Sequence, residues 1–181
     1  MTARRTLLTR RSSIRVVFAV IVALAAALVI WDLSRQQARQ VPDLELSLLD
    51  GGRVNLTAMR GRPLLVTFWA TTCPPCVEEL PDLVALYREL APQGLQMVAI
   101  AMPYDPPMYV QAFQDKHHLP YPIALDVEGR AVRAFEGVSL IPAAYLIGPD
   151  GRIEYTQVGK LDTDKVRQIV ARLFPIASLP S

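Results

Sequence analysis

Two apolar patterns predict β-strands between residues 44 and 102. Apolar and polar residues alternate in "LELSLL" from Leu44 and in "RVNL" up to Leu56, and an Asp-Gly-Gly turn at residues 50–52 separates them. Alternation on either side of such a turn predicts an N-terminal β-hairpin. Uninterrupted apolar runs follow in "PLLVTFWA" from Pro63 and "LQMVAIAM" from Leu95. Runs of this kind are typical of strands that are covered on both faces of a sheet.

Helical periodicity appears after the first uninterrupted run, in "VEELPDLVALYREL" from Val77. Pro81 predicts a kink in this helix, and Gly94 predicts its end. The remaining predicted elements are helices from Met108, Arg130 and Asp162, a strand from Tyr121, and two strands from Ala143 around the turn at residues 149–151. Strands that alternate with helices and end in a hairpin predict an α/β fold with a mixed central sheet flanked by helices.

The first 40 residues follow a different pattern, in which an arginine-rich start precedes one apolar run. Residues 1–40 contain seven Arg and one Asp, whereas residues 41–181 contain 12 Lys and Arg against 16 Asp and Glu. The uncharged run from Val16 to Trp31 reaches about 24 Å as a helix, a little less than the ~30 Å hydrocarbon core of a membrane. We expect a single-pass transmembrane helix over residues 16–33. A cleaved signal peptide, with Ala25 and Ala27 near the cleavage site, is the alternative.

This anchor determines the expected organisation of the chain. Residues 1–15 are expected in the cytoplasm, residues 34–41 form a polar linker, residues 42–175 form the folded domain, and residues 176–181 form a tail. The domain then lies on the outer face of the cytoplasmic membrane, which in a bacterium is the oxidising periplasm. The acidic excess of residues 41–181 gives no basis for nucleic-acid binding, and we expect none.

The only two cysteines lie where the strand from Pro63 turns into a helix, in the sequence Cys73-Pro74-Pro75-Cys76. A helix N-terminus presents free N–H groups and a positive dipole end, which stabilise a thiolate. We therefore expect a redox-active disulfide, with Cys73 as the exposed attacking thiol and Cys76 as the resolving thiol. A zinc site is the alternative, but its other ligands would be the adjacent His117 and His118, an awkward pair for joint binding. Covalent haem attachment is excluded, because Val77 stands where a His is required.

Several stretches taken together resemble one protein family. They are "FWATTCPPCVEELPDL", "MVAIAM", "YPIALDVEGRAVRAFEGVSLIPAAYLIGPDGRI" and the N-terminal anchor, and the likeness covers roughly residues 42–174. The chain resembles the membrane-anchored, TlpA/ResA-like thiol-disulfide oxidoreductases with a thioredoxin-like fold, which include periplasmic reductants in cytochrome c and copper-centre maturation. The resemblance implies that Cys73 and Cys76 are the redox pair, that Glu79 is the family's acidic residue, and that Pro142 is a cis proline facing the disulfide.

The resemblance also implies roles around the disulfide. Glu79 would accept the proton of Cys76 during exchange, although a carboxylate in a first helical turn also has a favourable dipole interaction without any catalytic role. The expected substrate groove consists of Trp69, Thr72, Pro74, Pro75, Ile141 and Pro142. Two departures from the family pattern affect this surface, since Thr72 replaces a Trp and Ala143-Ala144 replace hydroxyl or acidic residues. Thr67 stands where thioredoxin has a buried carboxylate, which leaves Glu79 as the nearest candidate proton carrier.

The two prolines between the cysteines bear on the direction of the reaction. Pro74 and Pro75 have no N–H, so only Cys76 and later residues can donate to the Cys73 thiolate. A poorly stabilised thiolate favours the disulfide form, so we expect a reductant with no cofactor besides its own disulfide. The resemblance implies an integral membrane thiol donor, fed by cytoplasmic thioredoxin, and apocytochrome c or a copper-site assembly protein as substrate. The alternative is a copper metallochaperone that binds the metal through Cys73, Cys76 and a His.

Overall fold

The structure is a computed structural model, which describes residues 20–31 and 40–173. The chain divides into two compact units, residues 1–40 and residues 41–181. In the first unit, residues 20–31 are helical and their side chains are exposed. Within the two described ranges, no helix is long and apolar enough to cross a membrane. The other residues of the expected anchor, the arginine-rich start, residues 34–39 of the linker and the tail lie outside the described residues, so the anchor stays a prediction.

One seven-stranded sheet forms the centre of the second unit. Its strands are β1 (Glu45–Leu48), β2 (Arg53–Asn55), β3 (Leu64–Trp69), β4 (Gln96–Ala101), β5 (Ile123–Leu125), β6 (Ala143–Ile147) and β7 (Ile153–Val158). They are arranged in the order β2-β1-β5-β4-β3-β6-β7. The three central strands β3, β4 and β5 are parallel, and the other neighbouring pairs are antiparallel. The predicted hairpin is β1–β2, and the predicted mixed sheet is confirmed.

Helices cover the sheet. Those described in the second unit are α1 (Pro74–Glu78), α2 (Leu80–Leu90), α3 (Pro107–His117), α4 (Arg130–Ala134) and α5 (Thr163–Leu173). Pro81 lies in the first turn of α2, and because proline cannot donate to the preceding turn, the helix predicted from Val77 is divided at Glu79. The side chain of Asp162 caps α5 by accepting the backbone N–H of Lys165 at 2.9 Å.

Strand β3 is covered on both faces, as its uninterrupted apolar sequence predicts. All six of its residues are buried. Alternate residues contribute to two separate cores, because successive side chains of a strand point to opposite faces. Leu65 and Trp69 belong to one core together with Leu86 of α2, whereas Val66 and Phe68 belong to the other. The strand that leads into the cysteines is therefore held firmly from both sides.

One edge of the sheet brings together the segments that carry the expected site. Because β3, β4 and β5 are parallel, their C-terminal ends lie at the same edge. Strand β6 begins there, since Ala143 pairs with Phe68, and β7 ends there, since Val158 pairs with Ala143. Cys73 follows β3 at this edge, and Pro142 directly precedes β6. We call it the cysteine edge.

Candidate active site

The two cysteines form a disulfide at the start of α1. Their Cα atoms are 5.3 Å apart, and Cys73 is the N-cap residue of the helix. Cys73 is partly exposed, whereas Cys76 is only 2% exposed and belongs to the core that contains Leu86 of α2. A thiol or disulfide from outside can reach the sulfur of Cys73 but not that of Cys76. The predicted difference in exposure between the two cysteines is confirmed.

The Cys73 sulfur receives a backbone hydrogen bond from the start of α1. The N–H of Cys76 donates to Cys73 Sγ at 3.3 Å. An N-cap side chain ordinarily accepts from the second and third residues of its helix, and here the second residue is Pro75, which has no N–H. One of the two usual donors is therefore missing because of the sequence between the cysteines.

Glu79 lies one residue beyond α1, in the break before α2, and its side chain is buried at 5% exposure. The backbone N–H of Leu161, from the connection between β7 and α5, donates to Glu79 Oε2 at 3.1 Å. Burial raises the pKa of the Glu79 carboxyl, and the Leu161 hydrogen bond and the charge of Lys160 oppose part of that rise. The ionised form of a buried carboxyl with a raised pKa is a stronger base than an exposed carboxylate.

The same connection also contacts α2, through the residue before Leu161. Lys160 Nζ lies 2.9 Å from Asp82 Oδ2, in an ion pair whose side chains are both more than half exposed. The two charges act on Glu79 in opposite directions, because Lys160 lowers the pKa of the Glu79 carboxyl and Asp82 raises it. The side chain of Gln157 also donates to the carbonyl oxygen of Lys160, which holds this connection against the end of β7.

Asp105 fixes the segment that leads into Cys73, and sequence reasoning missed it. Its side chain is 5% exposed and accepts two hydrogen bonds from Thr71, one from the backbone N–H at 2.6 Å and one from the hydroxyl at 2.7 Å. Both oxygens of a buried carboxylate are thus satisfied by the residue two positions before Cys73. An Asp in the short loop after a buried strand, followed by two prolines, was the signal in the sequence, in "AMPYDPP" from Ala101.

The residues of the expected substrate groove occupy different depths. Thr72, Pro74 and Pro75 are exposed, Ile141 is partly exposed and Pro142 is buried. The Ile141–Pro142 peptide bond is cis, as predicted. The carbonyl oxygen of Pro142 accepts the N–H of Gly159 at 2.7 Å, which ties the start of β6 to the end of β7.

Trp69 is the expected groove residue that the structure places beneath the surface. It is 5% exposed, because it is the last residue of β3 and both faces of that strand are covered. Its ring contacts Phe113 of α3 at a centroid distance of 5.1 Å. Its indole Nε1 is buried and has no hydrogen-bond partner within the described ranges. Trp69 therefore supports the cysteine edge from below and offers little area to a substrate.

The two histidines do not complete a metal site with the cysteines in the structure described. His117 stacks on Phe113 at a centroid distance of 4.1 Å, and His118 ends α3 in the left-handed conformation with φ of 49°. Across residues 20–31 and 40–173, no group of three or more His, Cys, Asp or Glu side chains is placed to hold a metal ion. The histidines thus end a helix, and no cysteine joins them in such a group.

A disulfide at the end of a central parallel strand, with one accessible sulfur and a cis proline at the start of the neighbouring strand, defines a thioredoxin-like thiol-disulfide oxidoreductase. The sequence profile of the Redoxin family matches residues 36–173. The chain belongs to the Redoxin family.

Comparison with individual proteins gives the same class. The chain is 30% identical to thiol-disulfide oxidoreductase ResA of Geobacillus thermodenitrificans over 134 residues, which are 74% of this chain and 76% of the relative. It is 32% identical to the thioredoxin-like protein YneN of Bacillus subtilis over 135 residues, with 74% and 78% covered. The crystal structure of a thioredoxin-family thiol:disulfide interchange protein from Chlorobium tepidum matches with a TM-score of 0.67 at 26% identity, over 75% of this chain and 95% of that chain. The predicted thioredoxin-like α/β fold of the domain and the predicted thiol-disulfide oxidoreductase activity are confirmed.

Proposed function

We propose that the chain is a reductant of protein disulfides on the outer side of the cytoplasmic membrane. The observation that carries the direction is the hydrogen bond from the N–H of Cys76 to the sulfur of Cys73, with Pro75, which has no N–H, in the place of a second donor at the start of α1. A thiolate with fewer donors is less stabilised, so the dithiol form gives up its electrons more readily. The couple is therefore reducing.

The reaction proceeds in two exchange steps. The Cys73 thiolate attacks one sulfur of the substrate disulfide, so that one S–S bond forms, one breaks, and the other substrate sulfur leaves as a thiolate. Cys76 then loses its proton and attacks the Cys73 sulfur of the mixed disulfide, which releases the second substrate thiolate. Two electrons pass to the substrate, and the Cys73–Cys76 disulfide remains. Both substrate thiolates take up protons at neutral pH.

Glu79 serves the second step as the acceptor of the Cys76 proton. The side chains of both residues are buried, and Glu79, the C-cap of α1, follows Cys76 by three residues, which is less than one helical turn. Because burial raises the pKa of the Glu79 carboxyl, its carboxylate is a stronger base than an exposed one. General base catalysis of this kind contributes on the order of 10²-fold or more.

The location belongs to the proposal as well. The arginine-rich start and the apolar run up to Trp31 support an N-terminal membrane anchor with the folded domain outside. A reducing dithiol in an oxidising compartment needs a supply of electrons, and an integral membrane thiol protein fits that role. The substrates we propose are apocytochrome c, before haem attachment, and copper-site assembly proteins.

The reduction potential of the purified chain tests the direction. After equilibration with glutathione buffers and alkylation of free thiols, we expect a value near or below about −200 mV, the range of protein reductants and glutaredoxins. A value close to the roughly −120 mV of a strong oxidant would contradict the proposal and would make the chain a disulfide donor.

Trapping of the mixed disulfide identifies the substrates. In a Cys76→Ser variant the first step still occurs but the second does not, so substrates remain bonded to Cys73. We expect proteins released from this variant by dithiothreitol to include apocytochrome c or copper-site assembly proteins. The matched Cys73→Ser variant keeps only the buried cysteine and is expected to trap none.

A further inference from the structure

One glutamine side chain binds the backbone of the β7–α5 connection at two points. Gln157, one residue before the end of β7, donates from Nε2 to the carbonyl oxygen of Lys160 at 2.6 Å. Its Oε1 accepts the backbone N–H of Asp162 at 3.3 Å, and the hydroxyl of Tyr155 donates to the same oxygen. The amide therefore holds the backbone on both sides of Leu161.

The orientation of the Gln157 amide is fixed by its partners. Two donors face its oxygen, and one acceptor faces its nitrogen. A rotation of the amide by half a turn would place its oxygen against the Lys160 carbonyl and its NH₂ group against the Asp162 N–H. Gln157 is thus held in one arrangement, although its side chain is partly exposed.

The Lys160 carbonyl and the Leu161 N–H belong to one peptide group, which is trans. A trans peptide is planar, and its C=O and N–H point in opposite directions. At one end the carbonyl oxygen accepts from Gln157, and at the other end the N–H donates to Glu79 Oε2 at 3.1 Å. A rotation that moves the oxygen away from Gln157 therefore also moves the N–H away from Glu79.

Other contacts fix the path of the connection. The N–H of Gly159 donates to the carbonyl oxygen of Pro142, and the side chain of Leu161 lies in the core that contains Cys76. A peptide plane can still rotate between two fixed Cα atoms, through the dihedral angles on either side of it. The hydrogen bonds at its two ends are what oppose this rotation in the peptide of Lys160 and Leu161.

The Leu161 N–H is the main group that favours the ionised form of Glu79. Burial has the largest effect on the Glu79 carboxyl and raises its pKa. The hydrogen bond from Leu161 is the next largest effect and lowers that pKa, followed by the charge of Lys160, which also lowers it, and that of Asp82, which raises it. A change in the Leu161 contact should therefore be visible in the titration of Glu79.

Two more titratable groups lie near Glu79, and both are neutral in the oxidised protein. Tyr121, two residues before β5, has a phenol whose pKa is raised by burial and then by the charge of Glu79, so it does not ionise near neutral pH. Cys76 is bonded to Cys73. In the oxidised protein, Glu79 can thus be titrated near neutral pH without a change in either neighbour.

We propose that Gln157 is a positioning residue for Glu79, which directs the Leu161 N–H at the carboxylate through the peptide group they share; this inference rests on the proposed function. Gln157 itself touches neither sulfur. By holding the N–H in place it favours the carboxylate over the carboxylic acid, and the carboxylate is the form that accepts the Cys76 proton. The second exchange step consequently continues at lower pH than it would without Gln157.

Titration of Glu79 by carbon-13 NMR in the oxidised full-length protein tests the contact. Met is about as long as Gln and can form none of these hydrogen bonds, so Gln157→Met is expected to move the Glu79 midpoint to higher pH. Gln168→Met, the same change at an exposed position of α5, is the matched control and should leave the midpoint unchanged. Tyr155→Phe removes only one hydrogen bond to Oε1 and is expected to give a smaller rise, which provides a second, milder variant.

Salt distinguishes the peptide from the charge of Lys160. At 1 M salt the Debye length is only about 3 Å, so the effect of an exposed charge is largely screened, whereas a hydrogen bond in the interior is not. The rise in Gln157→Met should therefore persist in 1 M NaCl, and the rise expected for Lys160→Met should decrease. Circular dichroism and urea unfolding of every variant monitor folding.

The reduced protein with excess dithiobis(nitrobenzoate) reports the two exchange steps separately. Attack by Cys73 releases one thionitrobenzoate at a rate proportional to the reagent concentration, and attack by Cys76 on the mixed disulfide releases the second at a rate independent of it. On the acid side of the Glu79 midpoint, Gln157→Met should slow the second release at least about twofold, the effect of one weak hydrogen bond. The first release should stay within twofold of wild type.

Two results overturn this inference, and two others concern the proposed function. An unchanged Glu79 midpoint in natively folded Gln157→Met and Tyr155→Phe would remove Gln157 as a positioning residue. A rise that disappears in 1 M NaCl would do the same, because the charge of Lys160 would then be its cause. A raised midpoint with an unchanged second release would instead contradict Glu79 as the proton acceptor, and the absence of a second release in wild type would contradict Cys76 as the resolving thiol.

Discussion

The backbone N–H of Leu161 donates a hydrogen bond of 3.1 Å to the carboxylate of Glu79, a residue 82 positions earlier in the chain. This contact satisfies one carboxylate oxygen in the interior and joins the β7–α5 connection to the helical break behind the cysteines. Only a substitution of Leu161 by proline would remove this backbone donor. The contact is therefore retained in variants of Lys160 and Asp82, whose charges can be changed separately.

Replacement of Glu79 by Gln is expected to change how stability depends on pH. Burial raises the pKa of the Glu79 carboxyl above its usual value of 4.5, so its contribution to stability is complete below that value and is lost as pH rises through the folded-state pKa. Gln can still accept the Leu161 N–H but does not titrate. The free energy of unfolding of Glu79→Gln should therefore increase relative to wild type as pH rises through this window. Urea unfolding of both oxidised proteins between pH 4 and pH 8 measures the difference, and a difference independent of pH would contradict the burial argument.

The charges of Lys160 and Asp82 are expected to move the pKa of Glu79 in opposite directions. Lys160 lowers the pKa of the Glu79 carboxyl and Asp82 raises it, so Lys160→Met should raise that pKa and Asp82→Asn should lower it. Carbon-13 NMR titration of the Glu79 carboxyl measures both. Shifts in the same direction would show that the ion pair acts by keeping water away from Glu79 rather than through its charges.

Replacement of Pro75 by Ala is expected to make the couple more oxidising. The new N–H is at the second residue of α1, where an N-cap sulfur can accept it, and it stabilises the thiolate of the reduced form. A hydrogen bond to a charged group contributes about 1.5 to 3 kcal/mol, which corresponds to a rise of about 30 to 60 mV. Glutathione equilibration measures the potential. Pro74→Ala is the matched control, because an N–H at the first residue of a helix does not reach the N-cap side chain, and an equal rise in both variants would rule out this explanation.

Asp105→Ala is expected to destabilise the domain and loosen the segment before Cys73. Its carboxylate accepts both the N–H and the hydroxyl of Thr71 in a buried position, and the loss of such bonds costs about 2 to 3 kcal/mol. Asn at this position can accept the N–H through Oδ1 and donate to the hydroxyl oxygen, so Asp105→Asn should lose less. Urea unfolding measures both variants. Equal losses in the two variants would mean that negative charge, rather than hydrogen bonding, matters at this position.

The parts of the site that depend on local chemistry could be predicted from the sequence. The strand before the cysteines follows from an apolar run, the break at Glu79 from Pro81, and the missing donor from Pro75. The cis bond before Pro142 came from the resemblance to a family rather than from any local pattern.

The parts that depend on tertiary contacts could not be predicted. Thr71 and Asp105 are 34 positions apart, and the sequence around either residue does not indicate that the other is its partner. The donor to Glu79 is a backbone group of Leu161, and backbone groups have no sequence signature. The hairpin was predicted, but its place beside β5 was not, because alternation specifies a covered face and not the neighbouring strand. Trp69 was expected in the groove on the strength of the family resemblance, and its burial follows from the packing that covers both faces of β3.

The 2% exposure of Cys76 has a consequence for how the chain turns over. Every molecule that gives electrons to this protein and every molecule that takes them must bond to the same sulfur, that of Cys73. Donor and acceptor therefore cannot occupy the chain together, and each half of the cycle must finish before the other begins. Steady-state rates with a thiol donor and a disulfide acceptor should follow ping-pong kinetics. An excess of the donor should inhibit by occupying the dithiol form, with which the acceptor reacts, and an excess of the acceptor should inhibit by occupying the disulfide form, with which the donor reacts.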